Sequence, residues 1–320
     1  MTRSRSAAPP RGDNAASRAA TVRRRGRSGA PALLIAPFLL LFTAVMLVPI
    51  GYAVYLSLFT EQRSGLGFGD ARTVFTGFGN YARALGDSAY RTGFLTIVQY
   101  CVLYIPVMLG LSLLAALLLD SVLARAKRFF QLALFLPHAV PGIIAALVWT
   151  YLYTPGISPV IGALNSAGSH LDLLGHPLPA VVNMAVWEWT GYNMVIFYAA
   201  LQAIPREVLE ASVVDGAGPL RTALSIKVPL IRASITMVGM FTVIGSLQLF
   251  TEPMIMYRTA PAVVSSWTPN MFAYTAAFDR DDYGLAAASS VMLALVAAAL
   301  SFIVTRLTRG RTERRAEAAA

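Results

Sequence analysis

Two groups of polar residues stand out in this sequence because nearly everything around them is apolar. The first centres on Glu188, flanked by Trp187 and Trp189 and followed by Tyr192 and Asn193. It lies about eight residues into an apolar run, or ~12 Å deep if the run is helical. A carboxyl group at that depth needs a wet cavity or a partner. Aromatic rings beside carboxyl and amide groups can grip a sugar by stacking and hydrogen bonding, so these five residues are candidates for a solute pathway. The alternative is equally open: the tryptophans belong to an interfacial aromatic belt, and Glu188 snorkels outward or pairs with a second subunit. Gln248 is a further pathway candidate, as are Gln99, Asn183 and Glu252, although single polar residues in spans also serve helix–helix hydrogen bonding.

The second group is the segment Pro205 to Leu230, PREVLEASVVDGAGPLRTALSIKVPL. Pro205 suits a first helical position, Glu207 complements the positive helix N-terminus, and Gly216, Gly218 and Pro219 supply a stop, which predicts a helix of about ten residues. Ala211 and Ser212 are small enough for close approach of a partner, and Glu207, Glu210 and Asp215 give that partner a charge to meet. An amphipathic connector lying on lipid is a poorer match, because such a helix favours Lys and Arg on its polar face.

Several chemistries are excluded. A phosphate-binding loop needs Gly-Lys before Ser or Thr, yet the two lysines, Lys127 and Lys227, follow Ala126 and Ile226. No nucleophile elbow, H-E-x-x-H or paired-cysteine motif is present. The one cysteine, Cys101, forms no intrachain disulfide, and His138, His170 and His176 are too scattered for a metal cluster. The expectation is a chain that is not an enzyme, with no metal and no cofactor.

The elements that must carry these residues follow from composition. With 56% hydrophobic and 13% charged residues and a mean hydropathy of +0.60, the chain lies far from the roughly 25% charged content of soluble domains. It is a polytopic membrane protein of the all-α class, since lipid-exposed backbone must satisfy its own hydrogen bonds. Six spans are predicted near 31–59, 94–119, 129–153, 180–203, 230–251 and 285–306. The domain reading is a disordered basic tail 1–30, a first transmembrane helix 31–59, an external loop 60–93, a five-helix core 94–306 containing the loop 205–230, and a tail 307–320. Pro106, Pro137, Pro141 and Pro253 predict kinks or breaks. With both termini in the cytoplasm, only Arg63, Arg72, Arg83, Arg91, Arg258 and Arg280 of the 26 basic residues lie outside, as the positive-inside rule expects. The net charge of +10 thus sets topology and needs no nucleic acid.

The run Glu210-Ala211-Ser212-Val213-Val214-Asp215-Gly216-Ala217, with Ile226-Lys227-Val228-Pro229-Leu230 beyond it, resembles the EAA loop of binding-protein-dependent ABC importer permeases. FFQLALFLPHAVPGIIAALVWTYLY (129–153), WEWTGYNMVIFYAALQAIP (187–205), DDYGLAAASSVML (281–293) and GFGNYARALGD (77–87) resemble the sugar-permease, maltose and glycerol-phosphate branch. Ser212 and Val228 replace a second Ala and a Leu common in that family. Leu95-Thr96 stands where an Asn-Thr pair is usual, and MYRTAPAVVSSWTP (256–269) stands where a Gly-rich stretch is usual. The resemblance implies the type I importer permease fold, a bacterial inner-membrane location, a second permease subunit, two ATPase subunits and an extracytoplasmic solute-binding protein. It implies coupling to the ATPase through Glu210, Ala211, Ser212, Asp215, Gly216 and Pro229. The residues alone also admit a self-contained secondary transporter or channel using Glu188, a reading weakened by the polar helix and by the lack of a detectable inverted repeat.

Overall fold

The computed structural model describes residues 30–63, 71–121, 125–168 and 172–317. The basic tail, His170 and the last three residues lie outside them. The chain divides into the units Met1–Ile50 and Gly51–Ala320. Among the described residues, the first unit holds only helix, which runs on as Leu33–Ser57.

Among the described residues, four helices are long and apolar enough to cross a membrane: Leu33–Ser57, Ser88–Asp120, Arg232–Met256 and Tyr283–Ile303. The expected third span is not one straight helix. Lys127–Ala139 and Gly142–Tyr153 meet at 94°, with Pro137 in the tight turn Leu136–Ala139 and Pro141 capping the second half. The fourth expected span is the 26-residue helix Pro177–Gln202. It is long enough to cross but too polar to join the four. Pro106, by contrast, sits inside an unbroken 33-residue helix. The expected break at Pro253 falls just earlier, at 247–250, so that Pro253 lies in the first turn of the short helix Thr251–Met256.

The expected external loop 60–93 is more structured than its polarity suggested. Phe59–Arg63 and Ala71–Phe75 form an antiparallel hairpin, in register from Phe59↔Phe75 to Arg63↔Ala71, and Gly79–Gly86 is helical. Asp87 then caps the next helix by accepting from the backbone N–H of Ala89 at 2.8 Å, so the second long helix begins at Ser88.

Two short π turns, Thr43–Leu47 and Ala223–Lys227, share one cause. Each ends two residues before a proline, Pro49 and Pro229. In both, the intervening valine N–H reaches back five residues, Val48 to the Thr43 carbonyl and Val228 to the Ala223 carbonyl. Proline lacks an N–H and its ring displaces the carbonyl four residues back, so the ladder in front of it slips by one.

The core is built on the packing of Ser88–Asp120 against Pro177–Gln202. One side of that pair buries Tyr100, Tyr104, Met108, Val181 and Met184; nearer the other end Ala116, Leu119, Met194, Phe197 and Leu201 close a second cluster with Ile231 and Val238. Pro177–Gln202 also passes so close to Lys127–Phe135 that a Cβ on Gly191 would overlap the Leu134 carbonyl. Gly191→Ala should therefore cost about 1–3 kcal/mol in the unfolding of the detergent-solubilised protein. Gly110→Ala, with nothing within 4 Å of the added atom, should be neutral or stabilising by helix propensity. Equal stability of the two variants would contradict this packing.

Candidate functional site

The structure divides the expected pathway residues between two places. A cavity of about 490 Å³ opens between the helices Ser88–Asp120, Pro177–Gln202 and Arg232–Ser246 and the break after Ser246. Tyr100, Tyr104, Trp189, Tyr192, Phe241 and Phe250 give it aromatic walls. Its polar lining comes from Asn193, Thr242, Ser246, Gln248, Thr251 and Glu252. Tyr100 and Tyr104 stack at 5.0 Å. Trp189 and Tyr192 stand edge to face at 5.9 Å, and the His138 ring rests on both, 4.6 and 4.5 Å from their centroids. Asn193 is held by donating its amide to the Trp189 carbonyl at 3.0 Å.

Trp187 and Glu188 are not part of that lining. Two helical steps from Trp189 turn Trp187 away from the cavity, where it packs edge to face on Trp149 at 5.7 Å. Glu188 reaches the start of the helix Gly142–Tyr153, where its Oε1 lies 3.8 Å from the position of a Cβ on Gly142. That helix start carries unpaired N–H groups and the positive end of a dipole, which accounts for an acid inside the membrane without assigning it to the pathway. Of the remaining candidates, Asn183 donates to the Tyr153 hydroxyl at 2.7 Å as a helix–helix link, and Gln99 is exposed on its helix. Glu252 lines the cavity in place of Glu188. The break at 247–250 brings it there; Pro253 signalled a break in this span, but not that it would turn Glu252 into the cavity.

In the polar loop, Arg206–Val214 is helical and Pro205 caps it from outside instead of opening it. Gly216 has φ +74°. Ala217 N–H bonds to the Ser212 carbonyl at 2.9 Å and Gly216 N–H to the Val213 carbonyl at 3.0 Å, a Schellman ending that suits glycine. Glu207, Glu210, Ala211 and Asp215 are exposed. Ser212 is 4% exposed and donates to the Leu209 carbonyl at 2.7 Å, so it is covered by its own chain and offers no side chain to a partner. Beside the acids the loop exposes Val213, Val214, Leu220 and Leu224. Pro229 is exposed behind the π turn.

One contact ties this loop to the helix core. Lys227 pairs with Asp120, the last residue of Ser88–Asp120, with the two side chains 17% and 10% exposed. Gln202, the last residue of Pro177–Gln202, donates to the other Asp120 oxygen at 2.6 Å. An acid at a helix C-terminus is unfavourable by itself, and a cation and an amide make this one tolerable. The sequence places Lys227 in the EAA-like run and excludes it as a phosphate-loop lysine, without pointing to a partner for it. Its partner lies 107 residues away, and no local pattern shows it. Removing one partner strands the other, at about 3 kcal/mol for a buried pair. Asp120→Ala should therefore destabilise the loop and raise its protease sensitivity, and Asp120→Lys with Lys227→Asp should recover part of the loss. No recovery in the double variant would argue against a direct pair.

Comparison with known proteins gives a consistent picture. The sequence model described as "Binding-protein-dependent transport system inner membrane component" matches residues 108–313. The sn-glycerol-3-phosphate transport system permease protein UgpA of Yersinia pseudotuberculosis is 32% identical over 283 residues, covering 86% of this chain and 93% of that protein. Its Escherichia coli counterpart is 32% identical over 288 residues, 88% and 94% of the two chains. Among solved structures, a chain of a bacterial ABC transporter involved in the import of the acidic polysaccharide alginate superposes with a TM-score of 0.76 at 18% identity, over 88% of this chain and 96% of that one. A second structure, of the alginate transporter in complex with alginate pentasaccharide-bound periplasmic protein, gives 0.73 at 17% identity. The all-α fold is that of an ABC importer permease.

Proposed function

This chain belongs to the family of binding-protein-dependent transport system inner membrane components, and on that premise we propose that it is one of two permease subunits of an ATP-driven carbohydrate importer in a bacterial inner membrane. ATP hydrolysis resides on two separate ATPase subunits, and an extracytoplasmic binding protein delivers the solute. Both termini and the loop 205–230 face the cytoplasm. The carbohydrate reading draws on similar proteins named for sn-glycerol 3-phosphate and alginate and on a cavity of aromatic rings and hydroxyl or amide groups.

The observation that carries the coupling role is the short capped helix Arg206–Val214, acidic and exposed on one face, with its loop anchored to two core helices through Lys227, Asp120 and Gln202. Glu210, Ala211, Asp215 and Gly216 meet the ATPase, with Glu210 pairing with a basic residue there and Val213 and Val214 adding apolar contact. Ser212 and Pro229 act from behind, by holding the helix and shaping the turn. Any force on the helix then passes through Lys227 to the ends of Ser88–Asp120 and Pro177–Gln202, whose other segments line the cavity. The self-contained transporter reading loses support, because the chain belongs to a family of binding-protein-dependent components.

Gly216→Val forces a β-branched residue into the left-handed region and misaims the helix while leaving the apolar spans to insert unaided. Membrane abundance should stay near wild type while transport falls at least tenfold, and Glu210→Lys should do likewise by reversing the docking charge. Wild-type transport by both variants would remove the loop from coupling. For orientation, Ala217→Cys in a Cys101→Ala background should react with a membrane-impermeant thiol reagent only after cells are opened. Labelling in intact cells would invert the topology.

A further inference from the structure

The cavity that serves as the solute pathway in this reading has a charge character that the solutes named for its relatives do not predict. Its described lining holds one acid, Glu252, and no lysine, arginine or histidine. The composition of the surrounding helices makes this a general property of the interior. No Lys or Arg occurs between Arg128 and Arg206, between Arg232 and Arg258, or between Arg91 and Arg125. His138 touches Trp189 and Tyr192 from behind without entering the lining. The break in the span Arg232–Met256 starts a new helix at Thr251, within the lining, but that helix has only six residues and carries Glu252 in its first turn. The protein's own acid thus occupies the place where a helix start would otherwise favour an anion.

An anionic solute here would leave its charge unpaired in a medium of low dielectric, a cost that a hydroxyl group does not incur. Stacked and edge-to-face aromatic rings, with Asn193, Gln248 and Thr251 beside them, suit the apolar faces and hydroxyl rims of a sugar. We propose that this chain's cavity selects an uncharged polyhydroxylated solute, with Glu252 as the specificity-determining residue that rejects acidic ones such as sugar phosphates and uronates. The proposal rests on the cavity being the pathway of the permease described above.

The test uses the detergent-purified complex of this chain with its second permease and ATPases, without the binding protein, so that the permease's own preference is read. Matched solutes are titrated while tryptophan fluorescence is followed: glucose against glucuronate, maltose against maltobionate, glycerol against sn-glycerol 3-phosphate. Trp189→Phe identifies the part of the signal that comes from the cavity. In the wild type the uncharged member of at least one pair should bind tenfold or more tighter than its acidic counterpart. Glu252→Gln, which keeps the shape of the side chain, should bring that pair within threefold. Acidic members binding as well as or better than neutral ones in the wild type overturn the proposal, as does unchanged discrimination in a folded Glu252→Gln complex. A complex that couples ATP hydrolysis to uptake but shows no Trp189-dependent signal with any solute also overturns it, while leaving the importer reading intact. Failure of the chain to assemble with an ATPase overturns the importer reading itself.

Discussion

A carboxylate at the wrong end of a helix is the constraint on which this architecture turns. Asp120 closes Ser88–Asp120 where the exposed carbonyls already make the local potential negative. It is held there by Lys227 from the polar loop and Gln202 from the neighbouring helix. Three segments distant in sequence are thereby fixed at one point, and the loop cannot shift without moving the ends of two core helices. The π turn in front of Pro229 contributes to the same geometry, since it determines the phase at which Lys227 leaves the chain.

The helix Gly79–Gly86, which leads into the same long helix, is held in a comparable way. Asn80 is fully buried and donates to the carbonyls of Ser57 and Phe59 at 3.0 and 2.7 Å. Arg83 donates to Asn80 and pairs with Asp282 at 2.5 Å, and Asp282 in turn accepts from the N–H of Leu285. Ser88–Asp120 is therefore fastened at its C-terminal end by a polar network, preceded by a helix that a second network holds, and packed along its length by apolar side chains. The breaks lie in the elements beside it, at 136–141 and 247–250. Irregular backbone is tolerated at membrane depth where it lines a cavity or is covered by protein, and the second break opens onto the cavity.

The two intramembrane acids show how such breaks distribute function. Glu188 and Glu252 are alike in composition terms, each a lone acid in an apolar run. Glu188 sits on a continuous helix one step from Trp189, and 100° per residue brings it to the start of Gly142–Tyr153 and leaves it out of the cavity lining. Glu252 follows a break that resets the helical phase and brings its side chain into the lining.

Composition and spacing alone determined that this chain is a helical membrane protein, because a lipid environment leaves few ways to satisfy a backbone and requires long apolar runs to do it. They also determined the short polar helix and its ending at Gly216, since capping and left-handed glycine are local properties. The spans were legible as apolar runs, although Pro177–Gln202 and the bent pair around Pro137 and Pro141 differ from simple crossings. Only the tertiary structure decided which polar residues meet. Asp120 and Lys227, Arg83 and Asp282, and the cavity shared by Tyr100, Trp189 and Glu252 join residues tens to hundreds of positions apart. Their proximity depends on helix phase, on the angles taken at two breaks that the prolines signal without fixing, and on the close approach at Gly191, and neither a period nor a motif encodes these. The hairpin at 59–75 was missed for a related reason: its strands are five residues each and mix polar with apolar side chains, and pairing between them, not their sequence pattern, makes them strands.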